Sequence, residues 1–292
     1  MQDRLWRATS ALAAIGISGV GLAGVPLAGR AASPTDDLLR RAGQYVQELE
    51  QQLAVVIADE TYVQDVWTRS RPPSGTTRII TRTIKSEMLF MQLPREDVWL
   101  AVRNVVLVDG RPVADSRQRL ERALAAPGLD VVSRLRALDE ESARYDVGRV
   151  WRTTGYPSVV LRFLLPGYQT RFAFSPAGTD RLAGERVSRI KFTERGSPSV
   201  IQVNAADVTA SGMIWLRPAD GAVVRTALAL TTPSSLNVSI VVDFQRDARL
   251  GLWVPSRMDE RYDEISGDST RCTARYSNFR RFETSGRMIV PQ

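Results

Sequence analysis

Between Leu236 and Phe244 every second residue is large and apolar. Leu236, Val238, Ile240, Val242 and Phe244 fall on one side, and Asn237, Ser239 and Asp243 on the other. A period of two is the signature of a strand with one dry face and one wet one. A sheet built from such strands must cover its dry face with something else, and this requirement constrains the whole chain. The stretch from Gly212 to Thr284 reads as an antiparallel meander of four strands. Pro218-Ala219-Asp220-Gly221 supplies its first turn, Pro presetting φ and Gly accepting a positive φ. The last strand, Ser269 to Glu283, should bury Cys272, Ala274, Tyr276 and Phe282 and turn Arg271, Arg275 and Arg281 to solvent.

Upstream, Ser33-Pro34-Thr35-Asp36 places an N-cap and acidic residues ahead of an apolar period of three and four. This predicts an amphipathic cover helix over about 36–59. Glu60 to Gln64, Thr76 to Met91 and Val98 to Val108 read as strands, and Arg111 to Gly148 as a helical insert. The runs Val159 to Leu165, Tyr168 to Phe174, Arg186 to Glu194, Ser199 to Asn204 and Met213 to Leu216 are further strand expectations. The fold class is therefore mainly β (α+β). It is a strongly curved antiparallel sheet or unclosed β-barrel of about a dozen strands, with the N-terminal helix and the insert as cover. Residues 33–292 are expected to form a single β-rich domain with its helical insert at 111–148.

Residues 1–32 read as a secretory signal. Arg4 and Arg7 form a short basic start, Ala8 to Ala28 carries no charge, and Gly29-Arg30-Ala31 offers small residues for cleavage. The uncharged run is long enough that an uncleaved N-terminal anchor is the competing reading. The expected location is periplasmic or secreted, with only transient membrane contact unless that segment is retained.

The sequence contains no His, which removes the commonest general base, the usual serine-hydrolase triad and the commonest zinc ligand together. Ser188 and Lys191 fit S-x-x-K, but in a strand an odd separation sends them to opposite faces. Asp139-Glu140-Glu141 and Asp259-Glu260 read as solvated faces, since neighbouring carboxylates do not converge. Cys272, the sole cysteine, reads as a small buried core residue. No enzyme, catalytic residue, metal site or cofactor is expected. The formal charge of +7 is carried by scattered arginines, with Lys85 and Lys191 the only lysines, and nucleic acid is not an expected partner.

What remains is shape. A curved sheet would turn Trp215, Leu228, Leu230, Val238, Ile240, Val242 and Tyr276 inward, to be covered by helices or by an apolar guest. Arg271, Arg275 and Arg281 would form a partner face.

Several segments also resemble a family of exported proteins of environmental bacteria. They are Arg103-Asn104-Val105 leading to Val108-Asp109-Gly110, then Glu141-Ser142-Ala143-Arg144-Tyr145 with Gly148, and the closing 276–282. More distantly, the order of elements is similar to the periplasmic lipoprotein-carrier (LolA-type) and sigma-regulator (RseB-type) group. The turn at 218–221 before Val223-Val224-Arg225, and Leu252-Trp253-Val254-Pro255, carry that likeness. It implies an unclosed β-barrel holding acyl chains against a helical lid, and it carries over no catalytic residue. The expected function is thus a non-enzymatic periplasmic protein holding an acyl chain, lipid or lipidated partner. The alternative is an envelope interaction module with a dry core and an arginine-bearing face.

Overall fold

The computed structural model describes residues 33–52, 56–69, 75–92, 99–125, 130–150, 152, 157–203, 206–232 and 236–281. The expected export segment, the Pro127-Gly128 helix break and Phe282 lie outside them.

Helix α1 (Pro34–Gln52) starts on a reciprocal cap. The Asp36 amide donates to Ser33 Oγ, and the Ser33 amide donates to Asp36 Oδ2, both at 3.1 Å. The helix ends sooner than its apolar spacing suggested. Val56 and Ile57, read as its last turn, already belong to strand β1 (Val56–Arg69). β-branched residues at the head of an alternating run go with the run. β2 (Thr76–Gln92), β3 (Trp99–Val108) and the two-residue β4 (Arg111–Pro112) follow. Pro112, at the start of the expected helical insert, instead pairs with Leu107, and α2 (Ser116–Leu124) begins later, followed by α3 (Asp130–Ser142).

The run 159–165, expected to be a strand, forms turns: a 3-10 segment (Leu161–Leu164) leading into α4 (Pro166–Gln169). Val160, Leu161, Phe163, Leu164 and Leu165 are all buried. With Arg162 as its single polar residue, the run carries no period with which to tell strand from helix. Strands then dominate: β5 (Phe172–Leu182), β6 (Glu185–Glu194), β7 (Ile201–Val203), β8 (Ala206–Leu216), β9 (Val223–Thr231), β10 (Asn237–Arg246), β11 (Trp253–Asp263) and β12 (Ser269–Arg281). The meander therefore holds five strands, β8 to β12.

All strands join one antiparallel sheet in the order β4-β3-β2-β1-β12-β11-β10-β9-β8-β6-β5, with β7 pairing β8. The sheet is curved and open, since its ends β4 and β5 do not meet. The N-terminal strands enter through β1, which pairs along its length with β12.

The two faces differ along the sheet, and this decides where helices go. The inner face holds the main core, which runs from Val56 and Phe90 through Ala274 and Ile240 to Ile214 and Phe192. It is covered by α1 and the 157–169 segment. On the outer face β9 to β12 present mostly polar residues with small or isolated apolar ones such as Ala227, Ala229 and Val241, but β1 to β3 present Ile57, Leu89 and Val102. There α2 and α3 cover them with Leu120, Leu124, Leu135 and Leu138 in a second, smaller core. The helical insert is thus a cover for the back of the sheet, on the face opposite α1. Among the described residues no helix is long and apolar enough to cross a membrane.

Candidate functional site

The inner face has an apolar half and a polar centre. In the apolar half, Leu228, Leu230, Val238, Ile240 and Val242 are buried in the main core, as is Tyr276 nearer the centre. Trp215 stands on the other side. Its neighbours Ile214 and Leu216 point inward, so the alternation turns Trp215 outward, where Nε1 donates to Asp180 Oδ2 at 3.4 Å and the ring lies under Arg225.

The inner cover is held by close backbone approaches. A Cβ on Gly43 would lie 2.8 Å from the Leu164 carbonyl oxygen, so α1 and the 157–169 segment touch backbone to backbone. Gln169 Nε2 ties them further, donating to Leu39 O at 3.0 Å and to Leu164 O at 2.5 Å. Gly221, at φ 75° in the β8–β9 turn, leaves only 2.5 Å between its would-be Cβ and the Ala42 nitrogen, so the same helix sits directly on that turn.

Where the C-terminal part of α1 meets the sheet, a cavity of about 10 Å³ remains, lined by Leu49, Phe90, Leu161, Phe244, Trp253 and Phe279 among others. That is about the space of a single water. None of the residues expected from the sequence to line a ligand borders this cavity. The alternation that found them reports which way a side chain points, not where two layers fit imperfectly.

The polar centre was read differently from sequence. Glu260, expected on a solvated face, is buried, and so are Glu60, Arg103, Arg152 and Asp146. Arg103 donates from Nε and Nη2 to Glu60 at 2.7 and 2.9 Å, and Ser86 Oγ donates to the same carboxylate at 2.8 Å. The Arg103 guanidinium also lies 4.4 Å from the Tyr62 ring centroid. Glu260 accepts from Tyr62 at 2.5 Å and from Tyr262 at 3.1 Å. Arg152 reaches the Tyr62 hydroxyl at 3.1 Å, the Val147 and Val150 carbonyls and Gln64, and it pairs with Asp146 at 3.1 Å.

Burial raises the carboxyls of Glu260 and Asp146 above the usual range, although hydrogen bonds from Tyr62 and charge from Arg152 oppose it. It pushes the Cys272 thiol up to about 12. Burial works against the charge of Arg103, yet Glu60 beside it raises its pKa well above normal. Every carboxylate here is engaged by tyrosine, serine or arginine, which is the wiring of a structural cluster. A sequence signal existed: Glu60, Tyr62 and Gln64 alternate in phase with Val56, Ala58 and Val66, so they had to face the core.

On the outer face Arg271 and Arg275 are exposed as expected, but Arg281 is not with them. Asn278 takes φ 52° and the β1–β12 register shifts between Ile57 and Asp59, a bulge. Beyond it Arg281 is paired with inward-facing Val56. Arg280 takes the outer position, bonded to Asp59 at 2.6 Å and Glu87 at 2.9 Å. Ser188 and Lys191 oppose Leu216 and Met213, and so point to opposite faces as the odd spacing requires.

No family model matches the chain, and no curated protein does. Among solved structures it is similar to an outer membrane lipoprotein-sorting protein domain from Vibrio parahaemolyticus, at 9% identity and TM-score 0.34, over 85% of this chain and 94% of that one. A LolA superfamily protein from Nitrosomonas europaea gives 9% identity and TM-score 0.31, over 83% and 94%. The Pseudomonas aeruginosa MucA/MucB complex gives 11% and 0.22, over 83% and 99%.

Proposed function

We propose that the chain is a non-enzymatic binding protein of the bacterial periplasm, exported by residues 1–32. It takes an acyl chain, or the acyl group of a lipidated partner, between its inner face and a helical lid. The observation that carries this reading is the construction of the cover. The apolar inner face is closed by α1 and the 157–169 segment, a separable layer, and the seam already holds an apolar cavity edged by Phe90, Phe244, Trp253 and Phe279. The closed state is then the unloaded one. A guest enters by displacing lid side chains such as Leu49 and Leu161 from the seam, and its own apolar surface replaces theirs at roughly 25 cal/mol per Å². Leu228, Leu230, Val238, Ile240 and Val242 form the floor that a long guest would reach. The polar centre keeps the sheet in register while the lid moves.

The test is native mass spectrometry of the chain recovered from a bacterial periplasm without detergent, together with uptake of a fluorescent fatty acid. A bound mass lost on organic extraction, and uptake that quickens when Leu161→Ala widens the seam, support the reading. A clean protein mass with no uptake in either form rejects it.

A further inference from the structure

The outer face of the sheet carries a row of charge that no single strand reveals. The strand registers place Arg275, Arg257, Asp243, Arg225, Trp215 and Arg189 directly side by side across β12, β11, β10, β9, β8 and β6. On the other side of Arg275 the row continues through Thr61 to Lys85. From Arg275 to Arg189 it crosses five strand spacings, roughly 24 Å.

The four arginines of this row share three carboxylates: Arg225 pairs with Asp243 at 2.5 Å, Arg257 and Arg275 lie by Asp259, and Arg189 lies near Asp180. Arg257 and Arg275 are directly opposite one another, as are Arg261 and Arg271, and like charges so placed destabilise a sheet. On β11 each arginine is answered by an aspartate two residues on: Arg257 by Asp259 at 2.6 Å and Arg261 by Asp263 at 2.7 Å. Their β12 partners are answered less fully: Arg271 lies over the Trp67 ring at 5.0 Å and opposite Asp65, which Arg78 and Thr81 already engage, and Arg275 is exposed and shares Asp259 with Arg257. At the far end of the row Arg189 is half-buried near Asp180, and Lys191 stands exposed two residues along the same face. Arg225 and Trp215, stacked between the ends, form a flat floor.

We infer that this row is a docking surface for an acidic polypeptide segment, which lies across the strands in extended form and is anchored at both ends. The cationic ends lie about seven extended residues apart, and guanidinium edges take carboxylates bidentately. An extended acidic segment can follow the outside of a curved sheet, which a flat lipid surface cannot. The surface is distinct from the lid seam and independent of whether a guest is held there.

The experiment measures fluorescence anisotropy of a labelled ten-residue peptide alternating Glu and Ser, titrated with the chain recovered from a bacterial periplasm. Vesicles of phosphatidylglycerol are run in parallel. Expected are saturable peptide binding that weakens steeply with salt and a roughly tenfold loss when Arg275→Glu and Arg189→Glu are combined. Arg40→Glu, on the solvent side of α1, should change binding less than about twofold. Three results overturn the inference: no peptide binding, an equal loss from Arg40→Glu, which would mean net charge alone, or binding to vesicles and not to peptide. Circular dichroism matching the parent shows that the reversed variants are folded, and a single Lys85→Glu, at an exposed position, gives the same direction of effect if the row is the site.

Discussion

Removing one half of the Glu60–Arg103 pair should be far more damaging than removing both. The side chains are 0% and 6% exposed, so each charge depends on the other. Arg103→Met keeps most of the apolar stem but strands the Glu60 carboxylate with the Ser86 and Tyr276 hydroxyls as donors, and two charge-assisted bonds of 2.7 and 2.9 Å disappear. Breaking a buried ion pair from one side costs about 3–5 kcal/mol. Glu60→Leu strands the guanidinium in the same way. In the double variant neither member of the pair is left as a stranded charge, and the expected loss falls to about 1 kcal/mol, mostly the Ser86 and Tyr276 hydroxyls left without their acceptor. Urea unfolding followed by tryptophan fluorescence, with m-values compared across the set, measures all three. If either single change costs less than about 1 kcal/mol, or if the double variant loses the sum of the two singles, the cluster is not the mutually dependent unit described above.

Stability should pass through a maximum at mildly acidic pH. Glu260 and Asp146 have raised folded pKa values, so the native state holds their protons more tightly. Stability therefore falls as pH rises above the ordinary carboxylate value of about 4 towards those raised values. Asp268, held low by the Arg69 amide and the Thr68 hydroxyl, contributes in the opposite sense, and its stabilisation is lost as pH drops below about 4. Melting curves from pH 3 to 8 should show the maximum, and Glu260→Gln should flatten its alkaline side; a profile unchanged by that substitution refutes the assignment. Gly221→Ala forces a Cβ to within 2.5 Å of the α1 backbone at a positive φ, so hydrogen exchange should quicken in α1 while β10 to β12 keep their protection. Uniform acceleration would mean that α1 is not a separable layer. Cys272, buried with its thiol pushed up to about 12, should react with an aromatic disulfide at least about a hundredfold more slowly in the native protein than in urea; equal rates would contradict its placement.

The sheet was legible because alternation is local. The run from Leu236 to Phe244 needs no partner to declare its two faces, and it lies in β10 with those faces as read. The capped start of α1 was equally local. The errors fall where the signal was absent or was broken by geometry. Apart from Arg162 the 159–165 run is apolar, so its turn conformation could not be separated from a strand. Arg281 changed face because a bulge at Asn278 inserts a residue that no alternation anticipates. Trp215 was expected inward, although its neighbours Ile214 and Leu216 claim the inner face.

The sequence by itself determined a largely β chain with one wet face over much of its length, an amphipathic cover helix and a core without histidine chemistry. Those properties rest on spacing within single segments. The tertiary structure alone decided that β1 pairs with β12, that the helical insert covers the back of the sheet, and that Glu60, Arg103, Arg152 and Glu260 share one buried cluster. It also decided that arginines from separate strands line up in a row. Each of these is a meeting of residues tens to hundreds of positions apart, set by register and closure of the whole sheet, and no local period encodes which distant strand will lie alongside.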